Sequence, residues 1–267
     1  MSKKNSQNHN IKLQSLLVSA KKGEPIAQYN LGVIYFNGMH GAKKDYHQSF
    51  EWYSKSAIQG FAPSQTELAK MYRDGNGVNQ DGNNALKWFT KAAEQDDTHA
   101  KYNLGAMFLN GEAISADYSR ALYWFQEAAK NGHASAQYNL GIIFRDGKGT
   151  QKDGYKAVEW FKLAAGQGDV DSQYNLAMMY LTGEGNITPD SDKAMYWLRL
   201  AAKNGDQQAQ NWLDNFNLGT TLQLISLKND PSSEEKNSDY NEDVISLNDK
   251  KNGFTAGENE HQNNDEI

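Results

Sequence analysis

The sequence predicts an all-α protein: an α/α solenoid in which antiparallel helix pairs stack into a right-handed superhelix, followed by a disordered C-terminal tail. Three observations carry this. A hexapeptide returns every 36 or 37 residues, a tryptophan returns at the same interval, and the apolar positions around both fall at helical period. The hexapeptide is Ala27-Gln28-Tyr29-Asn30-Leu31-Gly32. It recurs from Ala100, Ala136 and Ser172, with a weaker copy from Ser64 and a partial sixth from Ala209. The tryptophans in register are Trp52, Trp88, Trp124, Trp160 and Trp197.

Residues 1–10 are polar and are expected to be disordered. From Ile11 to Lys22 the pattern Leu13, Leu16, Leu17, Ala20 predicts a capping helix of the second-helix type, with Ser15 standing where a complete unit has tryptophan. Each unit then opens with a first helix, because Ala27, Leu31, Ile34 and Tyr35 lie at i, i+4, i+7 and i+8 and share one face. Gly75-Asn76-Gly77, Gly147-Lys148-Gly149 and Gly183-Glu184-Gly185 end first helices, since glycine accepts the positive φ that stops a helix. These glycines have no preceding strand and cradle no phosphate. Asp45, Asp81, Asp117 and Asp153 precede the second helices, as N-cap residues do. In the second helix of the third unit the apolar stripe is Ala121, Leu122, Phe125, Ala128 and Ala129, and the neighbouring tryptophan is expected in the core. Gly60, Gly132, Gly168 and Gly205 close second helices, with Asp96 in the corresponding place of the second unit.

Residues 207–216 read as the first helix of an incomplete sixth unit, with Trp212 expected to seal the last groove. The solenoid is therefore assigned to residues 11–219 and an acidic disordered tail to 220–267. From residue 217 onward there are eleven acids against four lysines, and apolar residues are too few to offset ordering entropy. Two short islands, Ile225 to Asp230 and Ile245 to Asp249, echo each other within it, either as docking motifs or as a chance likeness in which the first island merely extends the last helix.

Composition excludes several function classes. The chain has no cysteine, so disulfides, thiolate metal sites and cysteine nucleophiles are ruled out. Its net charge is −6, and with the tail set aside the body is nearly neutral, which disfavours nucleic-acid partners. The six histidines fall at positions 9, 40, 47, 99, 133 and 261, none with a second histidine three or four residues away, so no metal site is expected. No acid pair or nucleophile motif suggests catalysis, and no cofactor is expected. The start of the chain has no apolar signal segment, and no stretch is long and apolar enough to span a membrane. A cytoplasmic monomer is the expectation.

The hexapeptide, the following Tyr or Phe, the Gly-x-Gly turn, Asp, Trp and Ala-Ala at 36-residue spacing resemble Sel-one-like repeats, relatives of the tetratricopeptides, over residues 24 to about 213. The second unit departs from the pattern, with Thr66, Glu67 and Ala69 in place of Tyr, Asn and Gly. The resemblance implies an adaptor or scaffold without catalytic activity, holding a protein partner as a peptide or helix in the concave groove. The alternative is a bacterial effector, exported by a route that needs no signal peptide, binding host proteins through the same repeats. On a helical wheel, Tyr29, Val33 and Phe36 fall about 140–200° from Leu31, away from the face that packs on the second helix. Collected over all units, this stripe gives the candidate binding residues Tyr29, Phe36, Arg73, Tyr102, Leu109, Tyr138, Arg145, Tyr174 and Leu181, a mixture typical of interface hot spots. The competing reading places the same stripe at the contact between neighbouring repeats.

Overall fold

A computed structural model of the chain describes residues 13–112 and 115–228, with side chains as far as Leu218. Every regular element among them is helical. A short α1 (13–21) precedes α2 (Pro25–Asn37), α3 (Tyr46–Ile58), α4 (Ala62–Asp74), α5 (Gly82–Ala93), α6 (Thr98–Asn110) and α7 (Tyr118–Lys130). There follow α8 (Ala134–Asp146), α9 (Gly154–Gly166), α10 (Val170–Thr182), α11 (Ser191–Lys203) and α12 (Gln207–Lys228). Each even-numbered helix from α2 to α10 packs on the odd-numbered helix after it, and each second helix from α3 to α9 then packs on the first helix of the next unit. This is the α/α solenoid. The chain divides into two units, residues 1–210 and 211–267.

The helix ends follow their local chemistry. Asp45, Asp81, Asp117, Asp153 and Asp190 cap the second helices, each carboxylate accepting the N–H three residues on. The N-cap arrangement holds these carboxyls below their ordinary pKa at Asp45, Asp81, Asp153 and Asp190, first through the backbone N–H bond at all but Asp190, where the Lys193 side chain leads. The first helices end at Gly38, Gly75, Gly111, Gly147 and Gly183, all left-handed.

Within each pair the core is one apolar layer. Leu31, Leu68, Leu104, Leu140 and Leu176 are buried on the first helices, facing Tyr53, Phe89, Phe125, Phe161 and Leu198 on the second. The final residue of the hexapeptide is small because the second-helix ring lies directly over it. A Cβ added at Gly141 would come within 2.5 Å of the Phe161 ring, and one at Gly32 equally close to Tyr53. The layer corrects one expectation. The tryptophans in register are only half-buried and pack at the edge of the core, while the fully buried residue is the one after each of them. The dipeptide puts two large side chains 100° apart on the helix, and only one can point at the first helix.

Between units runs a polar column. The buried Gln28, Gln65, Gln137 and Gln173 each donate to a carbonyl in the last turn of the preceding second helix, those of Ala20, Ala57, Ala129 and Ala165, at 3.1 to 3.3 Å. Their own Oε1 atoms accept from Gln59, Gln95, Gln167 and Asn204 respectively, at the end of the next second helix. One buried side chain thus has both its amide groups satisfied and ties the ends of two successive second helices together.

At the amino end α1 occupies the capping position, with Ala20 buried and Leu13, Leu16 and Leu17 packed against Ala27, Leu31 and Ile34. At the other end α12 does not stop near residue 216. It continues through Gly219 to Lys228, so the helix overruns the assigned boundary and takes in the apolar start of the first tail island. A glycine inside a helix costs it only about 1 kcal/mol, which need not end it. Trp212 stacks on Phe216 within α12, rings 5.4 Å apart. Residues 1–12 and 229–267, where the remaining disorder expectations fall, lie outside the described residues.

Candidate protein-binding surface

The stripe chosen from the wheel lies on α2, α4, α6, α8 and α10, all half-buried. Its aromatic members Tyr29, Phe36, Tyr102 and Tyr138 touch their own second helix and, at Tyr29 and Tyr102, the N-cap of the next first helix as well. Tyr29 packs between Tyr53, with ring centroids 5.7 Å apart, and Phe61 of the second unit, 5.6 Å away edge-on. Phe36 lies 5.0 Å from Tyr46. Tyr102 stacks on His133 of the following unit at 4.5 Å, and Tyr138 lies 6.0 Å from Phe161. Leu109 and Leu181 flank the main core, and Tyr174 occupies the same register as the other tyrosines.

Arg73 and Arg145 are held from two sides. Each guanidinium Nε donates to the carboxylate next in sequence, Asp74 at 2.7 Å and Asp146 at 2.8 Å. Each also donates across the seam at 2.6 Å, Arg73 to Asn103 Oδ1 and Arg145 to Asn175 Oδ1. The stripe therefore takes part in the contact between repeats while each of its residues keeps some exposed surface. Its inner edge is an inter-repeat contact, and its outer edge faces solvent.

Electrostatics fix the protonation of the stripe. Burial, then the charges of Glu67 and Asp97, raises the Tyr29 pKa, and burial followed by Asp171 and Asp169 does the same for Tyr138. Both phenols stay neutral donors. The hydrogen bond to Asp74 raises the pKa of Arg73, while for Arg145 burial opposes the charge and is outweighed by the Asp146 bond together with the charges of Asp146, Glu184 and Tyr138.

A second surface escaped the sequence reading. Tyr123, Tyr155, Leu163 and Tyr196 stand 54%, 64%, 53% and 59% exposed on α7, α9 and α11, the second helices of the last three units. Tyr123 and Tyr196 each lie edge-on against the adjacent half-buried tryptophan at 5.0 Å. The signal was present in the Tyr-Trp dipeptides 123–124 and 196–197. Assigning tryptophan to the core concealed that its neighbour must then face outward.

Among the described residues no group of three His, Asp or Glu side chains could hold a metal ion, and no helix is long and apolar enough to cross a membrane.

The pattern is that of a known repeat class. The family described as Sel1 repeat matches five consecutive segments, residues 25–61, 62–97, 98–133, 134–169 and 170–206, and the chain belongs to that family. Sel1 repeat proteins mediate protein–protein interaction and are typically non-catalytic scaffolds. Among solved structures, the chain is similar to a protective antigen present in uropathogenic Escherichia coli strains displaying an SLR fold. That likeness has 32% identity and a TM-score of 0.70, over 73% of this chain and 41% of the other. A Sel1 repeat protein from Oxalobacter formigenes is 34% identical with a TM-score of 0.68, over 74% of this chain and 81% of that one. Among curated proteins, 64 residues are 31% identical to the ERAD-associated E3 ubiquitin-protein ligase component HRD3A of Arabidopsis thaliana. The match spans 24% of this chain and 9% of the plant protein.

Proposed function

We propose that this chain is a non-catalytic adaptor that binds a partner protein, as a peptide or helix, along the face formed by its first helices. The observation that carries the reading is the state of Arg73 and Arg145. Each is anchored by a carboxylate on its own helix and by an asparagine on the next first helix, so its rotamer is set before a partner arrives. A side chain already ordered loses less entropy on binding, and Arg beside half-exposed Tyr is the composition of binding hot spots. The test compares two double variants in a crosslinking pull-down with the full chain as bait. Tyr138→Ala with Arg145→Ala should abolish capture of the partner, while Tyr123→Ala with Tyr196→Ala should preserve it. The reverse outcome would move the site to the second helices, whose exposed tyrosines favour that as the competing surface.

A second functional reading, an exported effector binding host proteins through the same face, draws support from the likeness to the uropathogenic antigen. Fractionating cells that express the full chain decides between this and a cytoplasmic scaffold.

A further inference from the structure

The amino-terminal end of the stack holds an open cleft of about 320 Å³ between α1 and α2. Its walls are Leu13 and Leu16 from α1, Asn30, Val33 and Ile34 from α2, and Met39 from the loop that follows. The repeat itself says what belongs there. α1 stands in the place of a second helix, because Gln28 donates to Ala20 O as Gln65 does to Ala57 O and Gln137 to Ala129 O. In a complete unit the second helix is roofed by its own first helix, and α1 has none among the described residues.

Three registers define the missing element. Leu16 corresponds to Tyr53, Phe125 and Phe161, which are buried beneath Gly32, Gly105 and Gly141 of their first helices, whereas Leu16 is only half-buried. Ile34 corresponds to Met71, which in the next unit shares a cluster with Val33 and Phe36 of the preceding first helix. Asn30 corresponds to Asn103 and Asn175, whose Oδ1 atoms accept from Arg73 and Arg145 of the preceding first helix, and Asn30 itself is exposed. The cleft continues an interface that the molecule builds repeatedly within itself, with one side supplied and the other open.

We propose that this cleft is a docking seat for an amphipathic helix of a partner protein with the chemistry of this chain's own first helices. That helix carries Gly or Ala where it crosses Leu16, an aliphatic residue next to it toward Ile34, and an arginine one turn on that donates to Asn30. The seat lies at the end of the stack and is separate from the binding face proposed above. α8 meets all three requirements with Gly141, Ile142 and Arg145, so its sequence is the probe.

The experiment titrates the full chain into a fluorescently labelled, hydrocarbon-stapled peptide of sequence Ala134–Asp146, stapled because an isolated helix of this length is marginal in water. The expected result is saturable binding that Met39→Glu weakens by about tenfold or more, because a carboxylate at the rim must be desolvated when the helix docks. Met39 is 42% exposed, so this change spares the core, and a thermal melt of the variant checks that. A second arm replaces the peptide's arginine by alanine. That should weaken binding to the parent chain and have little further effect on the Asn30→Ala chain. Absence of saturable binding overturns the proposal, as does binding indifferent to both Met39→Glu and Asn30→Ala. Binding that appears only when residues 1–12 are removed also overturns it, and gives the seat to the chain's own amino-terminal segment.

Discussion

The seam between α3 and α4 and the seam between α5 and α6 solve the same problem with different residues. At the first, Gln65 donates to Ala57 O and Gly60 makes the left-handed turn at φ 92°. At the second, Lys101 stands in the glutamine's place and Asp96 in the glycine's, still left-handed at φ 67°, and the two side chains meet as an ion pair. Asn131, in the register of Gln95, donates to Asp96 and to Thr98 Oγ1. The two changes depend on each other. A lysine ammonium with only 8% of its side chain exposed needs an anion, and an aspartate at positive φ needs a contact that offsets the backbone strain. Glu127 at 4.0 Å is a distant second partner for Lys101. The register therefore fixes a job for each position rather than a residue type.

The comparison presumes the same apolar layer beneath both seams, and truncating that layer should produce the largest effects. Phe89→Ala and Phe125→Ala are each expected to cost about 3–5 kcal/mol, as buried aromatic truncations do, and to differ from each other by less than about 1 kcal/mol. Trp88→Ala and Trp124→Ala, at the half-buried neighbouring positions, should cost roughly half as much. Urea unfolding followed by circular dichroism measures all four. A tryptophan variant less stable than its phenylalanine neighbour would reverse the assignment of the core.

The next effect sharpens the comparison directly. Asp96→Gly should lower the melting temperature by leaving Lys101 short of its main partner, although it removes the strained φ. Lys101→Gln in the same chain should restore stability to the parent's level or above it, by recreating the glutamine-and-glycine seam. The double-mutant cycle is the measurement, and simple additivity of the two changes would dissolve the dependence argued here.

A smaller tie crosses the same seam. Arg73 reaches Asn103, whereas the corresponding position one unit earlier is Phe36, which packs on Tyr46 instead. Arg73→Ala is expected to cost about 1.5–3 kcal/mol, the value of a hydrogen bond to a charged group. Asn103→Ala should add little once Arg73 is gone. Melting curves of the two singles and the double check this. Full additivity would mean that the bond contributes nothing.

The fold was legible because each unit repeats the same demands, so that Leu31, Asp45 and Gly60 could be read against three or four other copies. The candidate site was legible only in outline. A helical wheel puts Tyr29 and Arg145 on the side of a first helix away from its own second helix. Arg145 does reach across the seam to Asn175, but Tyr29 touches Tyr53 of its own second helix as well as Phe61. The wheel cannot tell solvent from a neighbouring repeat, because both lie in that direction, and that is why the stripe turned out to be seam and surface together. The tryptophans were misassigned for a related reason. Periodicity marks a position as constrained, and the half-buried edge of a core constrains a residue as tightly as its centre. Asp96 stands out in the sequence as a departure from glycine, but that Lys101 answers it shows only where the two side chains meet.

The mildest expected effect concerns the seam between α7 and α8, a third variant. There the N-cap of the first helix is His133, where α6 and α10 have Asp97 and Asp169. Its Nδ1 accepts the Ala136 N–H at 3.3 Å, its ring stacks on Tyr102, and the exposed His99 lies edge-on 5.4 Å away. Burial and then the charge of His99 lower the His133 pKa from its ordinary 6.5. A proton on Nδ1 would remove the acceptor and set a positive charge at a helix N-terminus, where the macrodipole disfavours it. With the folded-state pKa below the unfolded one, the unfolded chain binds the extra proton first. The cap's contribution is thus intact above about pH 6.5 and declines as pH falls from there toward the folded-state value. His133→Asp should flatten this part of the profile, because its carboxylate still accepts the Ala136 N–H after histidine would have been protonated. Melting temperatures of parent and variant between pH 7.5 and pH 5 make the comparison, and parallel curves would show that His133 caps α8 without sensing protons.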